Sequence, residues 1–154
     1  MTSESTLLTL VGSIYRAVGS SDHWQVFLEQ LAEVLQSSAT GIVSFDLGSE
    51  KAIFRAAVRT DPDCLKRYSA YYATKDMWVA RGGRRLKTGF VETSQMLCPD
   101  DDLDRSEYYN DYLRPQDLFH QCGGVSSKRR RNCHLSLRCG LDIPVPSLVK
   151  RPSF

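Results

Sequence analysis

The sequence is poor in the signals that usually betray chemistry. It holds no GxSxG, HExxH, GxGxxG or phosphate loop, and Gly82-Gly83 and Gly123-Gly124 read as simple turn pairs. Only three histidines are present, too few for a catalytic cluster without a partner motif, so we expect no enzymatic activity. No run approaches the roughly 20 apolar residues of a membrane span. The start, MTSESTLLTL, lacks the basic head and unbroken apolar stretch of a secretory signal. The five cysteines are odd in number and form no CxxC pair, which suits reduced thiols in a cytoplasmic protein better than a disulfide framework. His120, Cys122, Cys133, His134 and Cys139 supply zinc-type donors, but their spacing matches no compact zinc pattern. We expect neither metal nor cofactor.

What is present is an ordinary globular composition, 42% hydrophobic and 25% charged, over a length that suits one domain with a proper core. The charge is unevenly spread. Residues 125–154 carry seven basic residues, among them Lys128, Arg129, Arg130 and Arg131, against the single acid Asp142, a net +6; residues 1–124 carry a net −4. A basic arm of this kind raises an alternative reading as a nucleic-acid-associated protein acting through KRRR. Without interleaved aromatics the arm has little capacity to read bases, and we do not expect specific DNA binding by this chain alone.

Along the chain, Leu7, Val11, Ile14, Tyr15 and Val18 follow one helical face over residues 4–18, and Gly19 ends that helix. Ser20 or Ser21 caps a second helix over 22–36, whose buried stripe is Trp24, Phe27, Leu28, Leu31 and Leu35. TGIVSFDLGSEKAIFRAAV reads as a hairpin turning at DLGS. DPDCLKRYSAYYATKD opens a helix with Asp61 as N-cap and Pro62 at the first helical position. FVET is a short strand, and CPDDDLDRSEYYNDYLRPQ a helix behind an acidic cluster, stopped at Arg114-Pro115. DLFHQCGGV reads as a strand and CHLSLR as one more. Mostly antiparallel strands with segregated helices give an α+β fold of the sensor type.

Six of the seven tyrosines crowd into two segments, residues 68–72 and 108–112. Tyr68 with Tyr72, and Tyr108 with Tyr112, stand at i and i+4 and share a helix face. Such stripes are more often core than site. A buried phenol still needs a hydrogen-bond partner, so some of these rings can border a pocket beside Asp76 and Trp78. Base stacking fits poorly, because the tyrosines lie in the acidic part of the chain.

DPDCLKRYSAYYATKDMW followed by LDRSEYYNDYLRPQDLFHQCGG resembles the GAF- or PAS-like N-terminal sensory half of LuxR-type bacterial transcription regulators, in the branch that reads YY…DPW and then RSEFYNDFLRPQG…GG. The likeness spans about residues 5 to 124. It implies a cytoplasmic sensor with a mainly antiparallel sheet and flanking helices, receiving a small-molecule signal and pairing with itself or with an intact regulator of the same type. Lactone sensors of the wider family hold the ligand's polar head with a tyrosine and an aspartate. The resemblance implies Asp76 with Tyr68 or Tyr72 as the counterparts, and with the indole read beside them the candidate ligand-binding residues are Tyr68, Tyr72, Asp76 and Trp78. Met77 stands where proline is usual after that aspartate, so the expectation is an unspecified small ligand, or none, rather than a lactone. Such regulators continue into a DNA-binding helix-turn-helix of roughly sixty residues, which the thirty residues after Gly124 do not supply. We therefore expect a truncated sensory domain over 1–124 and a disordered or frameshift-derived tail over 125–154. We also expect the strand near 117–122 to lack a complete neighbour.

Overall fold

The computed structural model describes residues 3–82, 87–130 and 133–141. Two helices come first, α1 (Glu4–Ala17) and α2 (Ser21–Leu35), followed by strands β1 (Ser37–Asp46) and β2 (Lys51–Val58). Next are α3 (Pro62–Ala70), a 3-10 turn (Tyr72–Thr74), α4 (Met77–Gly82), β3 (Val91–Thr93), and two short helices, α5 (Ser94–Leu97) and α6 (Asp100–Asp104). A π-helical segment (Tyr108–Leu113) and a 3-10 turn (Arg114–Gln116) lead into β4 (His120–Arg130) and β5 (Cys133–Leu141). The fold is α+β: one five-stranded antiparallel sheet, ordered β2-β1-β5-β4-β3, with flanking helices.

Local chemistry accounts for the boundaries. Ser3 Oγ accepts from Thr6 N at 3.2 Å and starts α1, and Gly19 at φ +82° lets the chain leave it. Asp61 Oδ1 accepts from Asp63 N at 2.8 Å, with Pro62 behind it, to start α3. The β1–β2 turn is held by Asp46 Oδ1, which accepts from Gly48 N at 2.9 Å. Neighbouring Ile42 and Val43 point to opposite faces of the sheet and so enter two separate cores. On one face, Leu10, Phe27, Leu28 and Ala56 pack with Ile42 under α1 and α2. On the other, Val43, Phe45 and Ala52 pack beneath Tyr68, Trp78, Leu103, Tyr108, Tyr112 and Leu113.

Four expectations need correction. In α1 the inward side chains are Leu10, Ser13 and Ala17, while Leu7, Val11, Ile14, Tyr15 and Val18 are exposed, so the periodic apolar face is the outer one. In α2, Phe27 and Leu28 are buried but Leu35 is exposed. The continuous helix expected over 98–116 is broken into α6, the π-helical segment and a 3-10 turn. Finally, the strand expected near 117–122 does not lack a neighbour. β4 runs through Gly124 to Arg130, has β3 and β5 on either side, and β5 itself sits between β1 and β4. The strand read at CHLSLR is present as β5, so the segment expected as a disordered tail is part of the sheet as far as Leu141. Residues 142–154 lie outside the described residues.

Candidate functional site

The site grows from one carboxylate. Asp76 stands at the start of α4, where Oδ1 accepts from the backbone N–H groups of Trp78 (2.9 Å) and Val79 (3.1 Å). That is the ordinary work of an aspartate cap. Its other oxygen, Oδ2, turns toward the sheet and accepts from Tyr68 Oη at 2.6 Å, Tyr108 Oη at 3.3 Å and Arg138 Nη1 at 2.6 Å. The Asp76 side chain is fully buried and that of Arg138 only 15% exposed. Charges this deep persist only when paired and hydrogen-bonded, and here both conditions hold.

The sheet explains why Arg138 reaches this point. Across the strands, Glu92, Gly123, Arg138 and Gly41 stand opposite one another in register, so a glycine lies on either side of the arginine. At Gly41 an added Cβ would stand 3.1 Å from the Phe54 ring and 3.3 Å from the Ala56 carbonyl oxygen, closer than ordinary van der Waals contact. The guanidinium lies 4.7 Å from the Phe45 ring centroid, a cation–π distance.

Aromatic rings close the site from above. Tyr108 and Tyr112 stack at 5.6 Å and 17°, Tyr72 stacks on Tyr112 at 4.8 Å, and Tyr68 packs against both Tyr108 and Tyr112. Trp78 meets Tyr108 edge-on at 5.6 Å. Burial raises the Tyr68 and Tyr108 phenols well above the usual range, and Asp76 adds to this while Arg138 opposes it. Burial also takes Tyr112 up to about 12. For Arg138, burial works against the charge, but Asp76 and the two phenols overcome it, and the guanidinium is held more firmly than usual.

Beside this network lies a cavity of about 70 Å³, lined among others by Phe54, Tyr68, Trp78, Tyr112, Gln121 and Arg138. It has room for a few waters or a small polar molecule. Among the buried side-chain atoms without a partner are Nε1 of Trp78, which lines the cavity, and Oε2 of Glu92 on β3. Burial raises the Glu92 carboxyl to about 7, with Arg138 lowering it and Asp76 raising it.

The structure thus brings Tyr68, Asp76 and Trp78 together, with Tyr72 half-buried at the rim, where Arg67 Nη2 donates to its phenol at 3.3 Å. Sequence reading missed Arg138 and Glu92, which carry the remaining charge of the site. Of the possible zinc donors, His120 Nδ1 lies 2.8 Å from Gln95 Nε2 and Cys122 stands opposite Cys139 in the β4–β5 register, and no metal-type group is found among the described residues. Lys128, Arg129 and Arg130 fall at the end of β4, and Arg131 lies outside the described residues. No helix among the described residues is long and apolar enough to cross a membrane.

No protein-family model and no curated protein matches the sequence. Solved structures do. The ligand-binding domain of VqsR from Pseudomonas aeruginosa superposes with a TM-score of 0.72 at 17% identity, covering 92% of this chain and 83% of that one. The GAF domain of an Acinetobacter phosphoenolpyruvate-protein phosphotransferase gives 0.53 at 13% identity, covering 93% and 80%. The fold is GAF-like.

Proposed function

We propose that this chain is a signal-receiving domain of the kind carried by LuxR-type transcription regulators, and that it binds a small molecule between the sheet and the tyrosine-bearing segments. One observation carries the reading: an almost complete buried polar network whose cavity is lined by Trp78, with its indole N–H left unpartnered. Buried donors are nearly always satisfied in a folded core, so an orphan beside a cavity points to a ligand acceptor. The shared fold with the VqsR domain, from a LuxR-type regulator, and the RSEYYNDYLRPQ stretch support the same assignment. Asp76 has its oxygens engaged by Tyr68, Tyr108, Arg138 and the α4 backbone. It therefore orients the site, while the unpartnered Trp78 indole is free to read the ligand. We assign no catalysis to it.

Binding would act by favouring one packing of the tyrosine-bearing segments over another. Its readout would pass to a second copy along α1. There Leu7, Val11 and Ile14 are exposed at spacings of four and three along the helix, with Val18 exposed just past its end. An exposed apolar stripe of this kind can be covered by a second copy. Sedimentation of the Val11→Glu chain should report a monomer where the parent chain is a dimer.

The test of ligand binding is NMR of the two indole N–H resonances during titration with a panel of small carbonyl compounds. A binder should move the Trp78 signal and leave that of Trp24, and Trp78→Phe should weaken it about fivefold to tenfold. A binder whose affinity survives Trp78→Phe would defeat the assignment.

A further inference from the structure

The β4–β5 ladder places two cysteines directly opposite each other, Cys122 facing Cys139. Directly opposed residues of an antiparallel pair hold their Cβ atoms about 4.5–5.5 Å apart, and a disulfide asks for about 3.5–4.5 Å. Each thiol is the leading influence on the other's ionisation. No other pair of described cysteines is so placed: Cys64 lies on α3 and Cys98 between α5 and α6.

We propose that Cys122 and Cys139 form a thiol-oxidation site for hydroperoxides, Cys122 reacting first and Cys139 resolving the product into a cross-strand disulfide. The Cys122 thiolate attacks the outer oxygen of the hydroperoxide, forming an S–O bond and breaking O–O, and the departing alkoxide takes up a proton. The Cys139 sulfur then attacks the Cys122 sulfur. An S–S bond forms, the S–O bond breaks, and hydroxide leaves with the proton of Cys139 as water. The net change is two thiols and one hydroperoxide converted to one disulfide, one alcohol and one water.

The division of labour follows from the surroundings. Cys122 is half-buried and reachable, whereas Cys139 is 2% exposed. The opposed Cys139 thiol favours the Cys122 thiolate, bringing it down to about 7 against the opposing effect of burial. The same pairing and burial hold Cys139 protonated. Burial moves Cys64 and Cys98 upward as well, so both are poorer nucleophiles at neutral pH. Cys139 also adjoins Arg138 in β5, so the bridge forms one residue from the ion pair that organises the ligand cavity.

The experiment treats the reduced full-length chain with one equivalent of hydrogen peroxide at pH 7, blocks remaining thiols, and maps the products by mass spectrometry without reduction. The expected first product is a peptide pair joined through Cys122 and Cys139, reversed by dithiothreitol. In Cys139→Ser, dimedone should label Cys122. In Cys122→Ser, peroxide consumption should slow about tenfold. Should either variant fail to fold, the parent chain still decides through the pH dependence of alkylation, which should place the Cys122 ionisation near 7. Oxidation of Cys64, Cys98 or Cys133 at the same rate, or an equal yield of the Cys122–Cys139 bridge in urea, would overturn the proposal.

Discussion

Replacing Glu92 with glutamine isolates what it costs to bury a carboxyl group against the sheet. Glu92 is 4% exposed, stands opposite Gly123, and leaves Oε2 without a partner. Burial raises it from an ordinary 4.5 to about 7, even with Arg138 pulling the other way. That gap corresponds to about 3 kcal/mol between the protonated and ionised forms. Between pH 4.5 and 7 the folded chain holds more protons at this position than the unfolded chain, so stability falls as pH rises through that window and levels off above it. Glutamine is neutral throughout. Urea unfolding of parent and Glu92→Gln across pH 4 to 8.5 should show the variant gaining up to about 3 kcal/mol on the parent as pH rises, on top of any constant offset. Parallel curves would refute the reasoning. A parent that gains on the variant instead would mean that Arg138 outweighs burial.

Arg138→Met should destabilise by about 3–5 kcal/mol, because it strands the Asp76 carboxylate in the core. Adding Asp76→Asn should recover part of that loss, so the two single costs should exceed the double in a urea-based cycle. Tyr68→Phe, which removes a 2.6 Å bond to Asp76 and an acceptor for Arg138, should cost about 1–3 kcal/mol. Tyr108→Phe removes a single 3.3 Å contact and should cost less in the same denaturation assay.

Local signals were readable wherever the deciding physics was local. Asp61 and Pro62 announced α3, Gly19 the end of α1, and DLGS the β1–β2 turn, because capping and turn geometry depend on a few adjacent residues. Burial was less readable. In α1 the apolar stripe at Leu7, Val11, Ile14 and Val18 was plain, but periodicity does not say which face meets the sheet, and small Ser13 and Ala17 took the inner one. Asp76, Tyr68 and Trp78 could be grouped because they lie within one short stretch. Arg138 could not, since its partner is sixty-two residues away in sequence. Glu92 and the Cys122–Cys139 pairing were hidden for the same reason, as both depend on strand register. The break in the 98–116 helix was concealed too: Tyr108 and Tyr112 come together on a π-helical turn as well as they would on an α-helix.

The order of the strands has a consequence for how the domain is made. β5 is the last of the five in sequence but the middle of the sheet, and its partners on β1 lie about a hundred residues upstream. Until it leaves the ribosome, the β1–β2 hairpin and the β3–β4 pair each present an open edge and half a core, and Asp76 has no counter-charge. Such intermediates invite aggregation. Closure of the domain is therefore a late, single event triggered by one strand, and slowing synthesis just before β5 should prolong chaperone engagement of the nascent chain.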